Sequence, residues 1–270
     1  MVGVKKSNWL ARIAIVLTLL FFYVPIVFLI VFSFNDSRSL TVWQGFSLRW
    51  YKAMLQDKEL IEAVKNTVLI AGIATVVSTF IGTITAIGLS KSKRIIKDII
   101  LTVNDLPILN PEIVTAIGMM LFFSTFTISK GFITLLIAHI TFCIPYVILS
   151  VLPKLRSLDP NIAEAALDLG ATPWQTLKKV IVPEIWGGII AGALIAFTMS
   201  FDDFVISYFS TGSGVKNISI MFYTMTKRIN PTINALSTIM VVVITATLLV
   251  INLIPLLKNR GNKEKTVEGY

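Results

Sequence analysis

Six long apolar runs divide this 270-residue chain, and each is long enough for a helix to cross a lipid bilayer. A transmembrane helix needs about 20 consecutive, mainly apolar residues to span the hydrocarbon layer. Hydrophobic residues make up 55% of the chain and charged residues only 14%, which is typical of membrane proteins and excludes an ordinary soluble domain. The sequence therefore predicts an all-α polytopic membrane protein with one transmembrane domain over residues 1–270. Its six predicted spans are 10–34, 63–90, 99–126, 132–152, 186–209 and 233–257.

The basic residues lie mainly in the connections between these spans, and they are unevenly shared between the two sides of the membrane. The connections on one side hold 14 Lys and Arg in 63 residues, against 8 in 56 residues on the other side. Positively charged loops tend to remain in the cytoplasm, so both termini and the loop 153–185 are predicted to be cytoplasmic. The net charge of +9 follows from this bias, since the basic residues do not form one domain with interleaved aromatic residues that would bind nucleic acid. The first span is predicted to be an uncleaved anchor, because no small-residue cleavage site follows it.

Prolines and glycines distinguish two of the spans. Pro107 and Pro111 each lack a backbone donor, so the third span is expected to kink or break near Asn110. Such a break is tolerated at membrane depth only where protein or a wet cavity satisfies the freed backbone groups. Small residues predict close helix packing in the second and fifth spans; they are Gly72, Gly82, Gly88, Gly188 and Gly192.

The cytoplasmic loop contains the signals of a short amphipathic helix. Asp159 and Pro160 are typical of a helix start, and Gly170 is typical of the residue that ends a helix. The face predicted to be apolar holds Ile162, Ala165, Ala166 and Leu169, and the opposite face holds Asn161, Glu164 and Asp168. Such a helix is too short to span and either lies on lipid headgroups or fits a groove of a partner protein. Its polar face has no positive charge, which favours the protein partner.

A second short helix is predicted directly after this turn. Thr172 and Gln175 form a capping box around Pro173 at the first helical position. The helix is expected to end before Pro183, because proline cannot continue the hydrogen-bond ladder. The loop thus reads as helix, glycine turn, helix.

The residues of this loop carry a family resemblance. Glu164-Ala165-Ala166 is followed after three residues by Gly170, and nine residues later by Val180-Ile181-Val182-Pro183. This order resembles the EAA loop of the permease subunits of binding-protein-dependent ABC importers of type I, where Ile and Leu usually stand at the positions of Val180 and Val182. The resemblance extends over nearly the whole chain and holds in particular for the C-type permeases of spermidine/putrescine importers. It is carried by HITFCIPYVI (139–148), AALDLGA (165–171), SFDDFVISYFSTG (200–212) and NALSTI (234–239).

The resemblance implies that the loop fits a groove on a cytoplasmic ATPase subunit and transmits its movement. The coupling residues it implies are Glu164, Ala165, Ala166, Asp168, Gly170 and Pro183. It also implies a multi-pass subunit of a prokaryotic cytoplasmic (inner) membrane that imports polyamines by alternating access. The implied partners are a sister permease, an ATPase dimer and an extracytoplasmic substrate-binding protein. The chain has no G-x-x-x-x-G-K-[ST] motif, so it is expected to be no enzyme and to need no cofactor, with ATP bound by the partner.

Acidic residues inside the spans are the candidates for a substrate path. A charge at membrane depth is costly and usually faces a pathway, a partner or water; the four acids are Asp105, Glu112, Asp202 and Asp203. Asp203 lies about 25 Å along a straight helix from Trp186, in the outer half of the fifth span. Adjacent residues point about 100° apart, so one of the Asp pair is expected to face the path, with Asp203 preferred. Either could instead hold a neighbouring helix or cap a helix break, and Asp105 could cap a break at Pro107.

Acids without matching bases suit a cationic passenger, and aromatic faces suit the apolar stems of a polyamine. The aromatic residues beside the acids are Phe201, Phe204, Tyr208 and Tyr146, for which helix packing is the alternative role. His139 and Cys143 are the one histidine and the one cysteine of the chain, so neither a metal site nor a catalytic triad is expected from them. Aromatic residues in the outer loop 35–62 form either an interfacial belt or a docking surface.

Three rival functions stay open at this level. The chain could be a permease of the same family for another solute, such as an iron, thiamine or opine-like compound. It could be an ion-coupled secondary transporter with Asp203 and Glu112 as coupling carboxylates, although a groove-fitting loop has no use there and no inverted repeat is evident. A membrane scaffold would leave the acids inside the spans unexplained.

Overall fold

The computed structural model describes residues 9–39, 41–212, 214–226, 231–243, 245, 246 and 249. The regular structure in these residues is helical, and their isolated β-bridge joins Asn35 to Phe46. The helices are α1 (Trp9–Ser33), α2 (Arg49–Gln56), α3 (Lys58–Lys91), α4 (Arg94–Leu109), α5 (Glu112–Thr125), α6 (Phe132–Arg156), α7 (Ile162–Asp168), α8 (Pro173–Thr176), a π-helical segment (Leu177–Ile181), α9 (Val182–Glu184), α10 (Trp186–Asp202), α11 (Val205–Ser210), α12 (Ile218–Thr226) and α13 (Thr232–Val243). Two compact units are present, Met1–Lys58 with Thr224–Tyr270 and Glu59–Tyr223.

Three helices, α1, α3 and α6, are long and apolar enough to cross a membrane on their own. They coincide with the first, second and fourth predicted spans. Two further helix pairs pass the same test only when each pair is counted together, which brings the described residues to at most five spans. The sixth predicted span, 233–257, lies partly outside the described residues, and its described part forms α13. The number six therefore stays a prediction.

The third apolar run is broken where its prolines predict. The axes of α4 and α5 differ by 107° across Asn110 and Pro111, which confirms the break expected near Asn110 within the predicted span 99–126. Pro107 lies inside α4, and the chain stays helical there. Asp105 consequently has no break at Pro107 to cap, and its carboxylate accepts a hydrogen bond from Asn104 (3.3 Å).

The fifth apolar run is also interrupted. α10 begins at Trp186, the predicted start, but it ends at Asp202, and α11 begins at Val205. The predicted span 186–209 is therefore not one continuous helix, and of the roles left open for the Asp pair the cap of a helix break is the one observed. The physical reason is a capping side chain at Asp203.

In the unit that contains the amino-terminal helix, Asn35 organises the loop between α1 and α2. Its Oδ1 accepts a hydrogen bond from the Gln44 N–H (2.8 Å), and its Nδ2 donates to the Val42 carbonyl (2.8 Å). The indole of Trp50 donates to the Asn35 carbonyl (2.8 Å) and is buried. Trp50 thus holds the loop in place, whereas Phe46 is 71% exposed; the choice between a belt and a docking surface stays open.

In the unit Glu59–Tyr223, α6 is the helix around which the core forms. α10 packs along it, and α11 packs against both α5 and α6. The buried side chains of α6 are mostly apolar and include Leu135, Ala138, Phe142, Cys143, Val147, Ile148 and Val151. A helix buried on this scale fixes the positions of the elements that contact it.

Val147 of α6 lies between two glycines of neighbouring helices. A Cβ atom added to Gly82 of α3 would lie 2.7 Å from the Val147 Cβ, and one added to Gly192 of α10 would lie 3.2 Å from the Val147 Cα. The prediction of close packing is confirmed at these positions. The physical basis is that a missing side chain lets two membrane helices approach closely.

The other predicted packing glycines divide into two groups. A Cβ atom on Gly188 would lie 2.8 Å from the Cγ of Lys154, which confirms close packing along α6. Gly72 and Gly88 have no atom within 4 Å of such a Cβ. The prediction for these two is therefore wrong within this subunit, since they lie on faces of α3 that contact nothing near them.

The glycine packing predicts a difference between two substitutions in α3. We expect Gly82→Val to destabilise the subunit by about 1–3 kcal/mol through overpacking against Val147. Gly72→Val adds the same side chain to the same helix where space is open, so it should leave stability nearly unchanged. Thermal unfolding of the purified subunit in detergent measures both, and equal melting temperatures for the two variants would contradict the packing.

Candidate functional site

Asp203 lies in the break between α10 and α11, and its carboxylate caps α11. Oδ1 accepts a hydrogen bond from the Ile206 N–H (3.2 Å), and Oδ2 accepts from both the N–H (2.7 Å) and the hydroxyl (2.8 Å) of Ser207. The first N–H groups of a helix have no partner within it, and hydrocarbon offers them none. The Asp203 side chain is only 1% exposed, so it stabilises the break from inside the protein.

Three other polar side chains surround this cap. The ring of His139 from α6 contacts the hydroxyls of Ser200 (2.7 Å) and Ser207 (2.9 Å). Its Nε2 also lies 3.4 Å from Oδ2 of Asp203. Asn217 donates to the Ser207 hydroxyl (2.7 Å) from the loop before α12. The break is therefore held by a buried polar network that joins α6, α10, α11 and the start of α12.

Asp202 differs from its neighbour in position. It is exposed and is the last residue of α10, and its carbonyl accepts a hydrogen bond from the Ser219 hydroxyl (3.2 Å). Of the two adjacent acids, Asp202 is thus the one whose carboxylate is open to a ligand in this subunit. The preference for Asp203 as the path-facing residue finds no support in its burial, and the structure places Asp203 in the capping role.

Glu112 is the first residue of α5, directly after the break at Pro111, and it is exposed. It lies within electrostatic range of both Asp202 and Asp203. The contact between α5 and α11 brings the two helix breaks, at Pro111 and at Asp203, to one place. Each break therefore contributes one exposed carboxylate to the same region.

Aromatic rings lie beside these acids. Tyr208 is 48% exposed and contacts the rings of Phe204 (5.5 Å between centroids), Phe209 (5.5 Å) and Tyr223 (5.9 Å). Phe201 stacks on Phe197 of the same helix (5.5 Å). Most of these contacts are packing between rings, but Tyr208 keeps an open face.

Tyr146 of α6 is placed in the same region, where it lies within electrostatic range of Glu112. Its ring packs edge-on against Phe142 of its own helix (5.4 Å). Cys143 on this helix is buried, and its thiol contacts the Ala196 carbonyl (3.4 Å). In the part of the chain that the structure describes, no three His, Cys, Asp or Glu side chains gather as metal ligands.

In the loop 153–185 the first helix is shorter than expected. α7 begins at Ile162, because Asp159 Oδ1 accepts the Asn161 N–H (2.9 Å) and holds the residues before the helix in a turn. Its seven residues span about 10 Å. Gly170 ends it with φ +83, and the Ala171 N–H bonds back to the Ala166 carbonyl (3.1 Å). The glycine turn is thereby confirmed, because a left-handed residue closes the helix in this motif.

The packed face of α7 also differs from the prediction. Ala163 packs against the core, whereas Ala165 is exposed and Leu169 is 90% exposed. Glu164 and Asp168 are exposed as predicted. The free surface of the loop is therefore not purely polar, because Leu169 projects from it beside the two acids.

The second helix of the loop keeps its predicted start but not its predicted end. Thr172 and Gln175 form the capping box, with the Thr172 hydroxyl accepting the Gln175 N–H (3.3 Å) and the Gln175 side chain accepting the Thr172 N–H (2.9 Å). The helical path then continues as a π-helical turn, Leu177–Ile181, and through Pro183 in α9. The expectation that Pro183 ends the helix is wrong. In the wider π turn the hydrogen bonds run between residues five apart, with the Val182 N–H bonded to the Leu177 carbonyl, so the helix continues past the missing N–H of proline.

Sequence reasoning did not identify Ser200, Ser207, Asn217 or the contacts of His139. One local signal was present, since Asp203 stands three residues before Ile206 and Asn217 directly precedes an apolar helix, as N-capping residues do. The partners from α6 and α10 have no such signal, because they depend on helix packing.

A model of the family described as "Binding-protein-dependent transport system inner membrane component" matches residues 78–257. The chain belongs to this family. The permease protein PotC of the spermidine/putrescine transport system of Escherichia coli (strain K12) is 35% identical over 243 residues, covering 90% of this chain and 92% of PotC. The permease protein PotI of the putrescine transport system of the same organism is 36% identical, covering 87% of this chain and 86% of PotI.

A solved structure shows the same fold. A bacterial ABC transporter involved in the import of the acidic polysaccharide alginate superposes with a TM-score of 0.70 at 16% identity, covering 94% of this chain and 99% of that one. Together with the apolar helices, this confirms the all-α polytopic permease fold. The family match and the relatives confirm that the chain is a membrane-embedded transport permease, not a soluble protein.

The capping geometry predicts different roles for two adjacent acids. We expect Asp203→Ala to destabilise the subunit by about 1–3 kcal/mol, because the buried N–H groups of Ile206 and Ser207 lose their acceptor. Asp202→Ala, one residue earlier and exposed, should change stability little. Melting temperatures of the two purified variants test this, and a stable Asp203→Ala protein would show that the cap is dispensable.

Proposed function

We propose that this permease imports polyamines such as spermidine and putrescine, and that Glu112 and Asp202 line their path. The observation that carries the proposal is the pair of exposed carboxylates at two helix breaks that meet in one region. The printed names of the relatives PotC and PotI support the substrate class. A diamine or triamine carries ammonium groups on apolar stems, so it needs separated anionic contacts with apolar surface between them.

The aromatic residues supply the second part of this recognition. The exposed ring of Tyr208 is available for cation–π contact with an ammonium group. Phe201 lies one residue before Asp202 and contributes apolar surface on the same helix. Asp203 takes part indirectly, since its buried carboxylate stabilises the break that presents Asp202.

Helix breaks suit a transport path for a general reason. Irregular backbone at membrane depth survives only where protein or a water-filled cavity satisfies its polar groups. Discontinuous helices form the substrate sites of several transporter classes for the same reason. The coincidence of two breaks and two exposed acids favours this region over any other described part of the subunit.

The chain works in this proposal as one subunit of a larger complex. A sister permease completes the path, an extracytoplasmic binding protein delivers the polyamine, and two ATPase subunits bind the ATP. The permease itself catalyses no reaction and needs no cofactor, which is supported by the absence of a P-loop motif from its sequence. Both termini and the loop 153–185 face the cytoplasm, in keeping with the distribution of Lys and Arg.

Residues 160–170 make the coupling contact with the ATPase in this proposal. The acids Glu164 and Asp168 and the apolar side chain of Leu169 are exposed together there. An exposed leucine beside two carboxylates is suited to a protein groove and poorly suited to anionic lipid headgroups. Membership of a binding-protein-dependent family disfavours the ion-coupled carrier.

The path assignment is tested by removing charge without changing shape. Asp202→Asn and Glu112→Gln should each reduce ATP-dependent uptake of labelled spermidine at least several-fold, because a desolvated ammonium group loses its counter-charge. Glu184→Gln, on the cytoplasmic loop, serves as a control that should transport normally. Uptake is measured in vesicles that contain the complete complex, and full activity in both path variants would disprove the polyamine path.

The coupling assignment is tested at the glycine turn. Gly170→Val should abolish uptake, because a β-branched residue cannot readily adopt φ +83. Gly187→Val, in α10, has no positive φ and no atom within 4 Å of an added Cβ, so it is the matched control. Membrane content is quantified for both variants alongside uptake, and normal uptake by Gly170→Val would remove the coupling role of the turn.

A further inference from the structure

The hydroxyl of Ser207 is the centre of the buried network, and its hydrogen bonds can be assigned from the number of protons available. It donates its single proton to Oδ2 of Asp203 (2.8 Å), so it must accept from its other two partners. Nδ2 of Asn217 is a donor at 2.7 Å. Nε2 of His139, at 2.9 Å, is therefore a donor as well. Every bonding position of the hydroxyl is then occupied.

This assignment determines the tautomer of a neutral His139 ring. With the proton on Nε2, Nδ1 is an acceptor and takes the hydroxyl proton of Ser200 (2.7 Å). The ring thus connects Ser200 at the end of α10 with Ser207 in α11, across the break between these helices. An imidazole with two ring nitrogens on opposite edges is well suited to bridge the two hydroxyls.

Asn217 extends the same network to the next helix. Its Oδ1 accepts the Ile220 N–H (3.0 Å) in the first turn of α12, while its Nδ2 bonds to Ser207 and approaches the Asp203 carbonyl (3.4 Å). The network therefore connects three helix ends, and α6 contributes His139 to it. Removal of the histidine would free Ser200 and Ser207 from the core helix.

We propose that His139 is a positioning residue for transport, which acts through Ser207 and Asp203 to fix the break that presents Asp202 beside Glu112. This inference rests on the proposed function, in which those two acids line the path. His139 is 1% exposed, so it cannot touch a passing substrate and acts only through its neighbours. Its contribution is geometric, because an acid displaced by about 1 Å loses much of its effect on a bound group.

The test uses two amides that differ in reach. Glutamine places an amide N–H close to the position of Nε2 and can still donate to Ser207. Asparagine reaches only the position of Nδ1, so it keeps the contact to Ser200 and loses the contact to Ser207. His139→Gln and His139→Asn therefore bury similar polar groups, and only the glutamine can keep the bond to Ser207 on which the inference depends. Cys143→Ala, one turn along α6 and equally buried, controls for a change in the core.

The measurement is the number of labelled polyamine molecules imported per ATP hydrolysed, in vesicles containing the complete complex. This ratio does not depend on how much complex is assembled, so a purely structural role for His139 would not change it. We expect His139→Asn to lower the ratio on the order of tenfold or more, with His139→Gln and Cys143→Ala close to the wild-type protein. An unchanged ratio in His139→Asn, or an equal loss in His139→Gln, would overturn the positioning role.

The outcome for the two path acids separates this inference from the function on which it rests. If Asp202→Asn and Glu112→Gln impair uptake while His139→Asn keeps its ratio, the path stands and the positioning role is disproved. If the two path variants transport normally, the path is disproved and the positioning role with it.

Discussion

The constraint on which this structure depends is that a broken helix inside a membrane must satisfy its own backbone. In the part of the chain that the structure describes, such breaks lie at Pro111 and at Asp203. The second is stabilised by a carboxylate that accepts two backbone N–H groups and a hydroxyl while buried from solvent. Without that cap the break would leave buried backbone N–H groups unpaired, which is unfavourable in hydrocarbon. Because the protein satisfies the backbone at these breaks, one exposed acid of the candidate path lies at the end of α10 and the other at the start of α5.

The rest of the unit Glu59–Tyr223 keeps the breaks in position. α6 supplies both the apolar contacts and the histidine that reaches the cap, and Val147 on the same helix is enclosed by glycines of α3 and α10. α10 connects two distinct sites, since the loop 153–185 precedes Trp186 and the break follows Asp202. In the proposed function, this helix packed along α6 connects the ATPase contact at residues 160–170 with the acids at its other end.

Much of this arrangement follows from the sequence, and the failures have identifiable causes. Apolar length and the prolines predicted the long helices and the break at Pro111, and Gly170 predicted the turn in the loop, because each is a local effect. The capped break at Asp203 was one of several roles that the sequence left open for the Asp pair, because an apolar run does not show where a side chain will cap. The sequence does not show which side chains are buried, so it could not show that Asp203 caps a helix and does not face the path. The role of His139 could not be predicted, since it depends on which face of α6 meets the end of α10.

Polyamine import is tested most directly by ATP-dependent uptake of labelled spermidine and putrescine into vesicles. The vesicles contain the permease together with the proposed sister subunit, ATPase and binding protein. The proposed import mechanism requires that both amines accumulate when ATP is supplied on the side of the ATPase subunits, that neither accumulates without ATP, and that an uncharged diol of the same length is not transported. Accumulation driven by an ion gradient alone, or equal transport of the diol, would contradict it.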